Sequence, residues 1–196
     1  EDAVATLEGG AQGLATGSGM AALCTVVFAV MNQGEHLVGT SSVYGPSRVV
    51  MERDFSRFGV DSTFVDTSDL DAVATAIRPE TTMVFVETPA NPTIVLSDIA
   101  AIAEIAHGHG AILVVDNTFA TPMLTRPLEL GAIALLHAET GAHAPAHRRQ
   151  RAGAQQHVQR AVDVFIDQRG DERLAHPRAE VVDQEQEAIH RALRPR

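Results

Sequence analysis

The chain has 196 residues, enough for one domain with a sizeable core or for part of a larger one. Its 45% hydrophobic content is that of an ordinary globular protein, and a net charge of −10 argues against nucleic-acid or anionic-membrane partners. The single cysteine, Cys24, excludes an internal disulfide framework and fits a reducing cytoplasm, the expected location.

In chain order, short apolar runs alternate with helical patterns, the signature of an α/β sheet layered by helices. GLAT (13–16) predicts a strand and 19–31 a helix. HLVGTS (36–41) is a strand, and a helix is expected over 47–58. VDSTFVD (60–66) is another strand, and Ser68 or Asp69 can cap the helix that ends before Pro79. TMVFVET (82–88) is a strand stopped by PANP. Ser97 is the expected cap of a helix over 98–107, with Ile99, Ile102, Ala103 and Ala106 on one face. AILVVD (111–116) is apolar on both faces, as suits a central parallel strand. IALLH (133–137) is the next candidate. No apolar run reaches the roughly 18 residues of a membrane helix.

Charge divides the chain. Net charge is −11 through Leu136 and +1 beyond it, and six of the nine histidines lie in the later part. A boundary near residue 137 therefore separates a first domain, 1–137, from an Arg/His/Ala/Gln-rich tail, 138–196. In the tail, Val158, Ala161, Val162 and Phe165 fall at helical spacing, and Val182, Ile189 and Leu193 hint at a second helix. The tail is expected to be loosely helical or disordered.

Several groups fit a ligand site. ATGSGMAAL (15–23) places glycines between a strand and a helix start, where free backbone N–H groups and the helix dipole favour a phosphate. The spacing Gly17, Gly19, Ala22 satisfies a dinucleotide pattern, but the next strand ends in Thr40-Ser41 without the acid that would hold a ribose. A glycine turn packing a helix on a sheet explains the same residues. Tyr44, the only tyrosine, lies beside Gly45-Pro46, either as an ordinary loop aromatic or as cover for a flat heterocycle. Asn91 in ETPANP offers an amide to a ligand or holds the turn. Asp116 ends the buried strand, where an acid is costly unless something cationic meets it. All follow successive strands at the carboxyl edge, where α/β folds bind ligands. A phosphate turn, an aromatic cover, an amide and a carboxylate for a ring nitrogen describe a pyridoxal phosphate pocket. Cys24, in an apolar run, reads as an inert thiol. HGHG (107–110) and the scattered tail histidines lack ligand spacing, and no metal is expected.

The strings SGMAAL, YGPS, ETPANP, HGAILVVDNTFATP and RPLELGA resemble the large domain of the Cys/Met-metabolism enzymes that use pyridoxal phosphate. These trans-sulfuration enzymes include cystathionine synthases and lyases, methionine γ-lyase and homoserine sulfhydrylases. The resemblance implies part of an aspartate-aminotransferase-like, type I fold with a mainly parallel sheet and helices on both faces. It implies pyridoxal 5′-phosphate as cofactor, a small amino-acid substrate and a homo-oligomeric parent. Gly19 and Met20 would hold the phosphate through backbone N–H groups and Tyr44 would stack on the ring. Asp116 would pair with the ring nitrogen, with Asn91 beside cofactor and substrate and Thr118 as a ring contact.

The family's next strand carries H-S-A-T-K. Aligned without a gap, this chain gives His137, Ala138, Glu139, Thr140 and Gly141. The serine that helps hold the phosphate is alanine, and the lysine that attaches the cofactor is glycine. No other lysine exists, since all 15 basic residues are arginines, and arginine stays protonated at any working pH. The resemblance also implies that the chain, opening on Glu1, begins inside a longer parent and lacks its smaller substrate domain. The abrupt change of composition after Leu136 suggests out-of-frame translation. The expected function is a truncated or frame-shifted trans-sulfuration enzyme without turnover. The alternative is a non-catalytic module that binds pyridoxal phosphate or a partner. Binding of nucleic acid by the arginines of the tail is disfavoured by its near-neutral charge.

Overall fold

The computed structural model describes residues 1–138 and the backbone of residues 162–166. Helix α1 (Asp2–Glu8) leads into β1 (Gln12–Thr16), α2 (Gly19–Val30) and β2 (His36–Thr40). A helical stretch follows that begins as α3 (Gly45–Val49), widens to a π turn over Val50–Asp54 and tightens to a 3₁₀ turn over Phe55–Phe58. Then come β3 (Asp61–Val65), α4 (Leu70–Ala76), β4 (Thr81–Glu87), α5 (Ile99–Gly108) and β5 (Ile112–Asp116). Short α6 (Thr121–Leu124) and a 3₁₀ turn (Pro127–Leu130) precede β6 (Ala134–Leu136), and β7 spans Val162–Ile166.

One sheet runs in the order β1-β7-β6-β5-β4-β2-β3. Strands β2 to β6 are parallel, and β7 is antiparallel to both neighbours, β1 and β6. Two antiparallel steps leave β1 running in the same sense as β6. All six remaining strands therefore present their carboxyl ends at one edge.

Alternation along the central strands builds two cores. Met83 and Phe85 of β4 and Val114 of β5 pack under α2 with Leu23, Val26 and Val27. Val84, Val86, Leu113 and Val115 face the other way, against Val73 of α4 and Ile102 and Ala106 of α5. Helices thus cover both faces, because strands apolar on both sides must be buried on both. Each fully buried Leu, Val or Phe contributes roughly 2 kcal/mol.

Helix starts follow local side-chain chemistry. Ser18 Oγ accepts from Ala21 N–H at the start of α2, and Asp69 Oδ1 accepts from Asp71 and Ala72 N–H at the start of α4. At α5 the cap is Asp98, whose Oδ1 accepts from Ala101 N–H, and not Ser97. The Ser97 hydroxyl is bonded to that of Thr67 at 2.7 Å, so it is not free to cap. A second correction concerns the tail. Residues 162–166 form strand β7, although Val162 and Phe165 fit a helical stripe; the rest of that stripe and the second expected helix lie outside the described residues.

His36 is 1% exposed, with Nδ1 bonded to Thr81 Oγ1 at 2.7 Å and Nε2 to Thr63 Oγ1 at 3.0 Å. Burial, and then the charge of Arg78, holds its pKa below the ordinary histidine value. The unfolded state therefore takes up this proton first. The contribution of His36 to stability is present above its unfolded pKa of about 6.5 and is lost as pH falls toward the folded value. The urea midpoint is expected to fall as the solution is acidified through pH 6.5, and His36→Asn is expected to flatten that slope. An unchanged slope in the variant would contradict this assignment.

Candidate active site

The carboxyl edge of the sheet gathers the residues that the sequence marks. Gly19 and Met20 open α2, in the first turn, where N–H groups have no intrahelical acceptor. Met20 is half-buried against the core under α2, and its Sδ accepts from the Ser47 hydroxyl at 3.7 Å. Its side chain is engaged inward, which leaves its backbone as the group available to a ligand. A Cβ on Gly19 would lie 3.2 Å from the Ala138 methyl. A side chain at position 19 would therefore press on the segment just beyond β6, which would have to give by a few tenths of an ångström.

Tyr44 immediately precedes α3 and is 50% exposed. Its N–H donates to Glu87 Oε2 at 2.7 Å. Asn91 is exposed, and its N–H donates to the other oxygen, Glu87 Oε1, at 2.9 Å. Its side-chain amide makes no hydrogen bond among the described residues, and its backbone N–H holds the turn. Glu87 itself is 3% exposed at the end of β4. Burial pushes its carboxyl up, the two N–H donors pull it down, and the charge of Asp116 pushes it up further.

Asp116 is the register partner of Glu87 on β5 and is half-buried. Its Oδ1 accepts from Thr118 N–H at 3.0 Å, and the Thr118 hydroxyl also holds the carboxylate. Burial still raises its pKa above the ordinary aspartate value, with His137 acting weakly in the other direction. Thr118 Oγ1 in turn accepts from Ala138 N–H at 2.9 Å. A continuous path of contacts thus runs from Tyr44 and Asn91 through Glu87 to Asp116, then through Thr118 to Ala138 and Gly19. All six sequence-marked residues lie on it or beside it. Glu87 was not among them. The string ETPANP contains it, but its partners lie 43 and 4 residues away, and only the fold brings them to one carboxylate.

Behind Asp116 lies a second polar group. Glu8, fully buried at the end of α1, meets His137 Nε2 through Oε1. The same oxygen accepts from Asn117 Nδ2 at 3.2 Å, and that amide also donates to the Thr125 carbonyl at 2.9 Å. Glu35, which precedes β2, is taken up by Asn32 N–H and the Thr82 hydroxyl, away from this edge. Burial raises the Cys24 thiol, consistent with an inert side chain. Among the described residues no three His, Cys, Asp or Glu side chains form a metal-binding group, and no helix is long and apolar enough to cross a membrane. Residue 141, the glycine at the lysine position, lies outside the described residues.

Pyridoxal phosphate fits this edge in part. Asp116 is a carboxyl that burial disfavours as a lone charge, which a protonated ring nitrogen would relieve. The N–H groups of Gly19 and Met20, in the first turn of α2, have no intrahelical acceptor and suit a phosphate. Covalent attachment does not fit, since no lysine is present in the chain.

The sequence matches the model of the family described as Cys/Met metabolism PLP-dependent enzyme over residues 1–143. Cystathionine beta-lyase MetC of Bacillus subtilis is 44% identical over 140 residues, covering 71% of this chain and 36% of that protein. L-Methionine gamma-lyase of Treponema denticola is 44% identical over 142 residues, covering 71% and 35%. The chain spans about a third of the length of the curated relatives it matches. Among solved structures, cystathionine gamma-lyase from Lactobacillus plantarum, complexed with L-serine, superposes with a TM-score of 0.74 at 35% identity. That match covers 95% of this chain and 44% of the other. MetB from Corynebacterium glutamicum gives a TM-score of 0.73 at 35% identity, covering 94% and 44%.

Proposed function

The chain belongs to the Cys/Met metabolism PLP-dependent enzyme family, and on that premise we propose that its sheet edge binds pyridoxal 5′-phosphate without attaching it. The protein of which it is a portion acts on a sulfur amino acid or an activated homoserine, by β- or γ-elimination or replacement. The observation that carries this reading is the unbroken set of contacts joining Tyr44, Asn91, Asp116, Thr118 and Gly19 around a carboxyl in need of a cation.

When bound, pyridoxal phosphate supplies an electron sink for charge developing at an amino acid's Cα. The chain's own residues do the rest. Backbone N–H groups of Gly19 and Met20 would hold the phosphate, reinforced by the α2 dipole. Tyr44 would cover one face of the ring, and Asp116 would pair with its protonated nitrogen. Thr118 holds Asp116 in place, and Asn91 offers its amide toward the ring and substrate. Ala138 provides a methyl where the family has a serine hydroxyl, so this chain has one phosphate donor fewer. With Gly141 in place of the lysine, nothing on this chain moves a proton at the substrate carbons, and turnover is absent. The segment 138–196 is proposed to be translated out of frame, since both the family match and the acidic, apolar composition end near its start.

Borohydride reduction in the presence of the cofactor, followed by peptide mapping, tests the non-covalent part. The expected result is no cofactor mass on any side chain. A retained mass on an internal peptide would overturn it.

A further inference from the structure

We infer that Glu87 is a positioning residue that ties the ring cover, Tyr44, to the ligand amide, Asn91, so that the two are ordered as one unit. Its two carboxylate oxygens divide between the two loops: Oε2 takes Tyr44 N–H at 2.7 Å and Oε1 takes Asn91 N–H at 2.9 Å. These loops leave different strands, β2 and β4, and the two residues are 47 positions apart in the chain. Charge-assisted hydrogen bonds from backbone N–H groups to a buried carboxylate are about twice as strong as neutral ones. The Tyr44 end is also the start of α3, whose dipole favours a negative group there.

The carboxylate is not merely filling space. It is 3% exposed, and among the described residues its hydrogen-bond partners include no arginine. Among the described residues this buried carboxylate is held by two backbone N–H groups, and it fixes those two peptide planes. Tyr44 remains half-exposed and Asn91 exposed, so their side chains face outward from loops whose backbones are anchored inward. Asp116 is the register partner of Glu87. The anchor therefore sits beside the group assigned to the ring nitrogen.

The assignment of a ligand to Tyr44 and Asn91 rests on the function proposed above, whereas the anchoring by Glu87 does not. Two readouts separate them. Amide hydrogen exchange of the ligand-free chain reads the anchoring. Glutamine offers one acceptor oxygen, so Glu87→Gln can keep one of the two N–H bonds and sets an NH₂ group against the other. Exchange at Tyr44 or Asn91 is expected to rise about tenfold, while Leu113 and Val115 in β5 stay within about twofold of the parent. Should that variant not fold, Glu87→Asp retains the charge on a side chain shorter by about 1.5 Å and is expected to release the same loops. The second readout uses Tyr44 as the only tyrosine in a chain without tryptophan. Added pyridoxal phosphate is expected to quench its emission in the parent chain at several-fold lower concentration than in the variant. Unchanged exchange at both amides in a folded variant, or a rise spread equally over β5, overturns the positioning role. Altered exchange without quenching in the parent upholds the anchor and removes the ligand reading instead.

Discussion

Asp116→Asn is expected to stabilise the ligand-free chain at neutral pH and to weaken pyridoxal phosphate binding by roughly ten- to a hundredfold. The two effects have one cause. Burial raises the folded pKa of Asp116 above its unfolded value of about 3.9. The folded state therefore holds this proton more tightly than the unfolded one. The stability that follows is present below the unfolded pKa and is lost as pH rises through the folded one. Above the unfolded pKa, this raised folded pKa costs the native state stability. Asparagine removes the carboxyl and can still accept from Thr118 N–H. It cannot pair as an anion with a ring cation. Urea midpoints of the two ligand-free proteins at neutral pH, with cofactor titrations of each, check both halves. A variant that is less stable and binds equally well would make Asp116 a structural residue.

Glu8→Ala is expected to cost about 2 kcal/mol of stability, as when a buried acceptor is removed and its donors lose a partner. Glu8 is fully buried and joins α1 to His137 beyond β6 and to Asn117 beyond β5. Alanine leaves the Asn117 amide with the Thr125 carbonyl and removes one partner of His137. Glu8→Gln keeps an acceptor for one of these donors and is expected to lose less. Urea denaturation at fixed pH measures both. A loss below about 1 kcal/mol for alanine would show that the cluster is incidental to the fold.

Most of the architecture was legible because its strands state their environment. ILVVD and TMVFVE are apolar on both faces, which only a sheet covered twice can satisfy. Glycines and prolines mark where those runs end. Among the elements that were read differently or missed, three have identifiable reasons. Helix α1 went unread because its inward position holds Glu8, a charge that local pattern assigns to solvent. Strand β7 was obscured because Val162 and Phe165 satisfy a helical spacing, while Val162, Val164 and Ile166 also alternate as a strand does. The cap of α5 moved by one residue because the Ser97 hydroxyl is committed to Thr67, a contact across 30 positions. The candidate site divides in the same way. Gly19, Tyr44, Asn91 and Asp116 stand in strings whose residue types fit the chemistry. Glu87, through Tyr44, and the Glu8–His137 pair act across long stretches of sequence, and no local pattern announces them.

The most direct test of the account is a titration of the intact chain with pyridoxal phosphate, following the emission of Tyr44. Saturable quenching that dialysis reverses, and that Asp116→Asn shifts to higher concentration, is the predicted result. Emission that does not change, or that declines linearly without saturation and identically in both proteins, would contradict a pyridoxal phosphate site at this sheet edge.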